Sequence, residues 1–287
     1  MNKVFLCILL FFLLQVTNAQ KVDKKLQHNI EALIKNFKGN IGVYVKNLKT
    51  NKIVSIHADS VFPTASMVKV HILVGIMQKI ETGELSYHQK LQYKDSLLYA
   101  GEDILGSFKN NESIELSKVI MLMLTTSDNT ASLWLQSLAG TGKRINALMD
   151  SLQLQQTKVN SRTPGRENER SKYGWGQTTP FEMATLFEKI VNKQVISEKA
   201  SEKMLRLLGR NYWDEEAISV IPSDVFVAGK NGAVNASRSE VIFVNSKKSR
   251  YVFCICTNNN ADTSWNENNE AWVLTRKISA LIWNTYN

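Results

Sequence analysis

The chain has 287 residues, of which 44% are hydrophobic and 21% are charged. These proportions exclude a disordered tail, a collagen-like fibre and a multi-pass membrane protein. The formal charge of +9 is spread along the chain, and its longest basic cluster, Lys247, Lys248 and Arg250, is typical of a β-hairpin turn. The sequence therefore predicts no nucleic-acid partner.

The first twenty residues have the organisation of a secretory signal peptide. Lys3 precedes an apolar run from Val4 to Leu14, and Thr17-Asn18-Ala19 resembles a small-residue cleavage site. Because the run is shorter than the roughly 20 residues that span a bilayer, we expect residues 1–19 to be removed. The mature chain is then expected in the periplasm or secreted from a bacterial cell, with no membrane span. A retained membrane anchor is the alternative.

Helical and strand periodicities alternate along the mature chain. An amphipathic helix over 22–37 is followed by strands over 41–45 and 53–57 and by a long buried helix over 66–80. The middle of the chain has only helical spacing, over 116–125, 130–138, 144–152, 181–191 and 197–208. Three strands over 225–230, 240–245 and 251–257 and a last helix around Trp272 to Ile282 close the chain.

This order predicts an α/β (α+β) fold in which the early and late strands form one antiparallel, five-stranded sheet flanked by helices. The sheet lobe would comprise residues of about 20–65 and 210–287, with an all-helical lobe of about 66–209 inserted into it. A cleft between the lobes is the expected place for a site. Cys254 and Cys256 share one face of a predicted strand, so we expect two buried thiols without a disulfide or metal.

Ser66-Met67-Val68-Lys69 stands at the start of the buried helix, where the helical register puts Ser66 and Lys69 on one face. A serine hydroxyl becomes a nucleophile when a neighbouring base removes its proton, and a buried lysine can be that base as a neutral amine. The alternative is an N-cap serine with a lysine one turn later. The motif predicts nucleophilic catalysis only if other motifs agree.

Two further short motifs allow both a structural and a functional interpretation. Ser127-Asp128-Asn129 lies between two predicted helices, as an N-cap cluster would, but its hydroxyl could also protonate a leaving nitrogen and its amide could hold a substrate carbonyl. Lys230-Asn231-Gly232 ends a predicted strand, as a plain turn would, but Lys230 could supply positive charge and Gly232 could admit a substrate to the backbone.

The three motifs together, in this order, resemble the signatures of the class A serine β-lactamases and their penicillin-recognising relatives: Ser-x-x-Lys, Ser-Asp-Asn and Lys-Thr-Gly. The likeness covers nearly all of the mature chain, including Leu124 to Ala131, Thr178 to Ala184 and Ile221 to Gly232. The resemblance implies a β-lactamase/transpeptidase-like fold with no metal or cofactor.

The resemblance also implies a role for each matching residue. Ser66 would be the acylated nucleophile, Lys69 its base and Ser127 the proton donor to the leaving group. The substrate-binding residues would be Asn129 for the acyl side chain, Lys230 and Asn231 for the carboxylate, and the strand backbone at Gly232 and Ala233. The N–H groups of Ser66 and Ala233 would form the oxyanion hole. Asn231 departs from the usual Thr or Ser, and Arg238 is one candidate for a carboxylate-binding arginine.

One departure concerns the loop between Asn160 and Thr179. Class A β-lactamases place there a glutamate that activates the deacylating water, but counting from Ser127 leads to Thr163. Glu167 is the better candidate for this base and Glu169 the other, while both could instead be solvated carboxylates paired with nearby arginines. Without a base, loss of one acid–base contribution slows deacylation by about 10² to 10⁴-fold.

Three functions therefore remain open at this point. The first is a monomeric β-lactamase that opens the β-lactam amide through an acyl-serine. The second is a D-alanyl peptidase or esterase that β-lactams inhibit because deacylation is slow, and its substrate would be an acyl-D-alanyl-like molecule. The third is a non-catalytic binding protein of the cell envelope. Tyr99 and Glu102 are further candidates for the cleft wall, and we expect Trp175 to anchor the loop, with a substrate platform as the alternative.

Overall fold

A computed structural model describes residues 21–101 and 103–287. The predicted signal peptide and Glu102 lie outside the described residues. The helices are α1 (Lys24–Ile34), α2 (Val68–Glu81), α3 (Leu116–Thr125), α4 (Asn129–Leu138), α5 (Thr141–Ser151), α6 (Glu167–Tyr173), α7 (Pro180–Val191), α8 (Glu198–Leu208) and α9 (Glu270–Tyr286). Single 3₁₀ turns cover Ala65–Met67, Asp95–Leu97 and Leu105–Ser107.

The main sheet has six strands in the order β1-β3-β2-β11-β10-β9. Its strands are β1 (Lys21–Val22), β2 (Asn40–Asn47), β3 (Lys52–Ile56), β9 (Phe226–Val234), β10 (Ser237–Asn245) and β11 (Arg250–Asn258). The five predicted strands pair in antiparallel fashion, so that prediction is confirmed. The short β1 adds a sixth, parallel strand beside β3.

The sheet is buried on both faces because helices cover each of them. Along β10, Val241 and Phe243 belong to a core shared with α2 and the helical lobe, whereas Ile242 and Val244 belong to a second core beneath α1 and α9. Successive strand residues point to opposite faces, so a strand between two cores is apolar at nearly every position. This explains the uninterrupted apolar run of the sequence at Val241 to Val244.

Five helices of the middle segment lie close to their predicted positions, and α3 has the predicted bounds. The sequence did not predict α6, which lies in the loop of 160–179, or two small antiparallel sheets. One small sheet joins β4 (Phe62–Pro63), β8 (Gly176–Thr178) and β7 (Lys158–Val159), and the other joins β5 (Lys90–Gln92) to β6 (Ser113–Glu115). Strands of two or three residues are too short to show a period in the sequence.

Cys254 and Cys256 are buried and free, as predicted, with their sulfur atoms 3.9 Å apart on one face of β11. Burial is the largest cause that raises the pKa of the Cys254 thiol, so the thiolate is disfavoured and the group is unreactive. Within 21–101 and 103–287, no helix combines the length and the apolar character needed to cross a bilayer.

Candidate active site

Ser66 lies in the 3₁₀ turn that leads into α2, at the edge of the main sheet. Ala65 before it has φ 43°, in the left-handed region that non-glycine residues seldom occupy. The edge strand β9 passes directly against this turn: a Cβ on Gly232 would lie 2.5 Å from the Thr64 carbonyl oxygen and 2.7 Å from the Ser66 nitrogen. Only glycine allows this approach, which brings the backbone of β9 to the Ser66 N–H.

Lys69 follows Ser66 by one turn and is fully buried. Its Nζ lies 3.0 Å from Ser66 Oγ, 2.9 Å from Ser127 Oγ and 2.9 Å from Asn129 Oδ1, and it also contacts the Ser127 carbonyl oxygen. Four oxygens therefore surround one nitrogen, whereas an ammonium has three N–H donors. The amine connects the hydroxyls of Ser66 and Ser127 through a single atom.

The environment of Lys69 favours its neutral form. Burial is the largest cause that lowers the pKa of Lys69 well below its usual value, and the nearby charge of Lys230 lowers it further. The carboxylates of Asp103 and Asp128 act in the opposite direction. A neutral amine can accept the Ser66 proton, so the geometry and the electrostatics agree.

The predicted Ser127-Asp128-Asn129 cluster contains the N-cap that its structural interpretation expected. Asp128 is the N-cap of α4: its carboxylate accepts hydrogen bonds from Ala131 N at 2.7 Å and Leu105 N at 2.9 Å. Ser127 has φ 62°, again in the left-handed region. Because Asp128 fixes the turn, the side chains on either side of it can both meet Lys69.

Lys230 is fully buried in the middle of β9, which continues through Asn231 and Gly232 to Val234 instead of ending at the motif as predicted. Its Nζ donates to the carbonyl and side-chain oxygens of Asn231, each at 3.0 Å. Burial lowers the pKa of Lys230 to about 7, although the nearby Glu240 opposes this shift. With its side-chain oxygen bonded to Lys230, Asn231 keeps an amide N–H₂ that can donate to a substrate carboxylate.

A cavity of about 210 Å³ lies above Ser66, and we call it the acyl cavity. Asn129, Tyr99 and Trp175 line one part of it, and Ala233 and Val234 at the end of β9 line another. The rings of Tyr99 and Trp175 meet edge to face with centroids 5.0 Å apart. Trp175 therefore lines the cleft as well as joining the loop to it. Tyr173, at the end of α6, also lines the acyl cavity, and no sequence motif marked it.

The structure does not bring Glu167 to Ser66. Glu167 is exposed at the start of α6, and its carboxylate accepts a hydrogen bond from Gly165 N at 3.1 Å. Arg166 anchors this end of α6, because its guanidinium donates to Asn160 Oδ1 at 3.0 Å and to Gln177 Oε1 at 2.8 Å. No carboxylate of the described residues lines the acyl cavity. Glu169, on the same short helix, does not line it either.

Thr163, at the position where the count places the family glutamate, does not line the acyl cavity. Its hydroxyl donates to the Ser161 carbonyl at 2.9 Å, and a Cβ on Gly142 of α5 would collide with it. The loop at this position is therefore packed against α5 through a buried threonine, and it presents no carboxylate to Ser66.

Arg238 does not offer its guanidinium to a substrate carboxylate. Its side chain is 1% exposed and donates to the carbonyl oxygens of Val234, Asn235, Ser237 and Ser264. The guanidinium also lies 4.5 Å and 4.7 Å from the ring centroids of Trp265 and Trp272. These contacts occupy both terminal nitrogens, so the arginine fastens the end of the β9–β10 hairpin to the segment before α9.

A second cavity, of about 630 Å³, adjoins the other side of β9, and we call it the Glu240 cavity. Asn231 and Ala233 of β9, Glu240 of β10, and Trp213, Glu216 and Arg276 are among its lining residues. One signal in the sequence could have indicated this cavity, namely the glutamate that opens the largely apolar strand at 240–245. The described residues contain no cluster of His, Cys, Asp and Glu that could hold a metal ion.

Comparisons with known proteins find similar chains over nearly the whole length of this one. β-Lactamase VEB-1 of Pseudomonas aeruginosa is 22% identical over 298 residues, which cover 99% of this chain and 98% of that protein. The solved structure of PBP-A has a TM-score of 0.82 at 22% identity and covers 93% of this chain and 97% of its own. A mutant of PBP-A was solved as an acyl-enzyme complex with penicillin G, also with a TM-score of 0.82.

A class A β-lactamase from Mycobacterium abscessus has a TM-score of 0.79 at 19% identity and covers 91% of this chain and 99% of its own. These structural likenesses show the fold. Residues 25–286 match the β-lactamase enzyme family as a whole. The chain therefore belongs to the β-lactamase enzyme family, as its three motifs predicted.

Proposed function

We propose that this protein hydrolyses β-lactams by opening the β-lactam amide through an acyl-Ser66 intermediate. The observation that carries the proposal is the position of Lys69 Nζ, which is 3.0 Å from Ser66 Oγ and 2.9 Å from Ser127 Oγ. One amine can then take the proton from the nucleophile and pass it, through Ser127, to the nitrogen that leaves.

Acylation follows from these contacts. Neutral Lys69 accepts the Ser66 proton while Ser66 Oγ attacks the lactam carbonyl. The N–H groups of Ser66 and Ala233 stabilise the developing oxyanion, a role supported by the close passage of β9 at Gly232. Ser127 then protonates the ring nitrogen as the C–N bond breaks, and Lys69 returns the proton to Ser127. Lys230 and Asn231 hold the substrate carboxylate, and Asn129 holds the acyl amide.

Deacylation is the slow step of the proposed cycle. Water must attack the same carbonyl, but the described part of the acyl cavity offers no carboxylate to activate it. Lys69 is the base nearest to Ser66, and it can take the water proton only in its neutral form. Because a positioned general base contributes about 10² to 10⁴-fold, we expect the acyl-enzyme to accumulate during turnover.

We also propose that the protein is exported and acts as a monomer. The charged, apolar and small-residue regions of the first 19 residues support export. All of the proposed catalytic residues come from one chain, which supports a monomeric active unit.

A chromogenic cephalosporin tests the proposal when colour and intact protein mass are followed together. We expect slow, sustained turnover with an adduct on Ser66, and no adduct in Ser66→Ala. An adduct that persists without turnover would instead support the inhibited peptidase or esterase. Absence of both signals would contradict an acyl-serine mechanism and favour a binding protein.

A further inference from the structure

The Glu240 cavity lies on the leaving-group side of Ser66. It meets the acyl cavity at Ala233, which lines both. Asn129 and the aromatic residues lie on the acyl side, whereas Asn231, next to Lys230, lines the Glu240 cavity. A substrate whose carboxylate binds Lys230 and Asn231 would therefore extend its leaving-side substituent into the Glu240 cavity.

The cations of the Glu240 cavity are committed to contacts within the protein. Arg238 donates to four carbonyl oxygens and lies against two indole rings. Arg276 pairs with Glu216, with Nη1 2.7 Å from Oε2, and also donates to the Glu267 carbonyl oxygen. Arg238 Nε is buried and has no partner, but with both terminal nitrogens occupied neither guanidinium has its fork free for a substrate anion.

Glu240, in contrast, has an uncommitted oxygen. The residue is 3% exposed, and its Oε2 accepts a hydrogen bond from Ala217 N at 2.8 Å. Its Oε1 is buried and has no hydrogen-bond partner. A buried polar atom without a partner costs free energy, and a ligand that donates to this atom recovers it. Glu215, Glu216 and Glu267 line the same cavity, so the surroundings also favour a positive group.

We infer that the Glu240 cavity binds a cationic substituent on the leaving side of the substrate, with Glu240 as its acceptor. The inference rests on the proposed β-lactamase function and specifies its substrate class. It reverses the expectation attached to Arg238, because both terminal nitrogens of that guanidinium are occupied whereas one oxygen of the Glu240 carboxyl is not.

The protonation state of Glu240 makes this preference depend on pH. Burial raises the pKa of Glu240 to about 8; Glu215 and Glu216 add to the shift, whereas the Ala217 N–H and Lys230 oppose it. Arg238, Arg276 and Glu267 are the other charged residues that line the cavity. The Glu240 carboxyl is mostly neutral at pH 7 and mostly ionised at pH 9. Binding of a cationic substituent is therefore favoured most at pH 9.

Two cephalosporins test this inference when they share one acyl side chain and differ at the leaving side, where one carries a guanidinium, which keeps its charge and its N–H donors from pH 7 to pH 9, and the other an acetate ester. Each acylation kcat/KM is divided by the rate of hydrolysis by hydroxide, which removes intrinsic reactivity. We expect the full mature protein to prefer the guanidinium substrate by about tenfold at pH 9, the size of one charge-assisted hydrogen bond. The ratio of the two corrected kcat/KM values should rise from pH 7 to pH 9. A change in the charge of Lys230 affects both substrates alike, so it cancels in this ratio.

Glu240→Gln is the diagnostic variant, because an amide can still accept from Ala217 N but presents N–H₂ to the cavity. We expect it to lose the preference and its pH dependence. Glu215→Gln removes the same formal charge at an exposed position of the cavity, and its ratio should stay within about twofold of the parent. If both variants lost the preference for the cationic substrate equally, the preference would come from the general negative charge of the cavity, and the inference would be overturned.

The parent protein alone already separates the possible failures. If neither cephalosporin acylates Ser66, the proposed function fails. If both acylate Ser66 with equal efficiency from pH 7 to pH 9, only the inference about the cavity fails. A melting curve shows whether Glu240→Gln folds, and if it does not, the pH dependence of the parent ratio still decides.

Discussion

The catalytic cluster and the loop of 160–179 differ in what positions their polar side chains. Lys69 and Lys230 have no exposed surface and project from α2 and β9, elements that the main core packs on several sides. Glu167 starts a short helix that has no buried residue, and its partner is the nearby Gly165 N–H. Side chains on packed helices and strands are held in a fixed geometry by the core, whereas the position of a carboxylate in a loop is set by its local hydrogen bonds.

This difference separates the two halves of the proposed reaction. The residues for acylation converge on one amine, but the described residues bring no carboxylate to the carbonyl that water must attack. We therefore expect large effects from substitutions in the cluster and small ones from substitutions in the loop.

Ser66→Ala should have the largest effect. It removes the nucleophile, so we expect a loss of about 10⁶-fold in turnover, as for other serine hydrolases, and no mass adduct. The melting temperature measured by circular dichroism controls for folding and should change little. Turnover within tenfold of the parent would mean that another residue is acylated.

Lys69→Met should slow acylation by about 10² to 10⁴-fold, because it removes the base but keeps an unbranched side chain of similar length. Stopped-flow measurement of adduct formation separates this step from deacylation. Burial lowers the pKa of Lys69, so acylation by the parent should decrease at acid pH, where the amine becomes protonated. An acylation rate in Lys69→Met equal to that of the parent would assign the base elsewhere.

Lys230→Arg tests the role of charge on the carboxylate side. Burial lowers the pKa of Lys230 to about 7, so its positive charge is present below pH 7 and is lost above it. The parent kcat/KM for acylation should therefore fall above pH 7, by up to about tenfold per pH unit. Arginine stays charged throughout this range and should remove the alkaline decrease. The same decrease in both proteins would show that another group titrates.

Glu167→Gln should have the smallest effect. The amide can still accept from Gly165 N, and the side chain lies outside the acyl cavity, so we expect the lifetime of the adduct to change by less than twofold. Intact mass after removal of excess substrate measures this lifetime. A lifetime longer by 10²-fold or more would identify Glu167 as the deacylation base after all.

The sequence predicted the elements and residues that the core positions. Ser66 and Lys69 were placed on one face by helical register, and the apolar runs at 241–244 and 251–257 marked two strands that lie between two cores. Three motifs far apart in the chain added what periodicity could not, namely which of these elements meet in the cleft.

The sequence could not predict where polar side chains of the loop and hairpin point. The direction of Glu167 depends on how Arg166 bonds to Asn160 and Gln177, and the guanidinium of Arg238 is captured by carbonyl oxygens of its own hairpin. Such contacts leave no period in the sequence. The unpartnered oxygen of Glu240 could not be predicted for the same reason, because the burial of one carboxyl oxygen depends on tertiary packing.

The most direct test of the account is the intact mass of the protein, followed from the first turnover of a penicillin to the steady state, with peptide mapping of the adduct. We expect one penicilloyl group on Ser66 to form within the first turnover and to remain the main species while substrate is slowly hydrolysed. Turnover through unmodified protein, or an adduct on any other residue, would contradict the account.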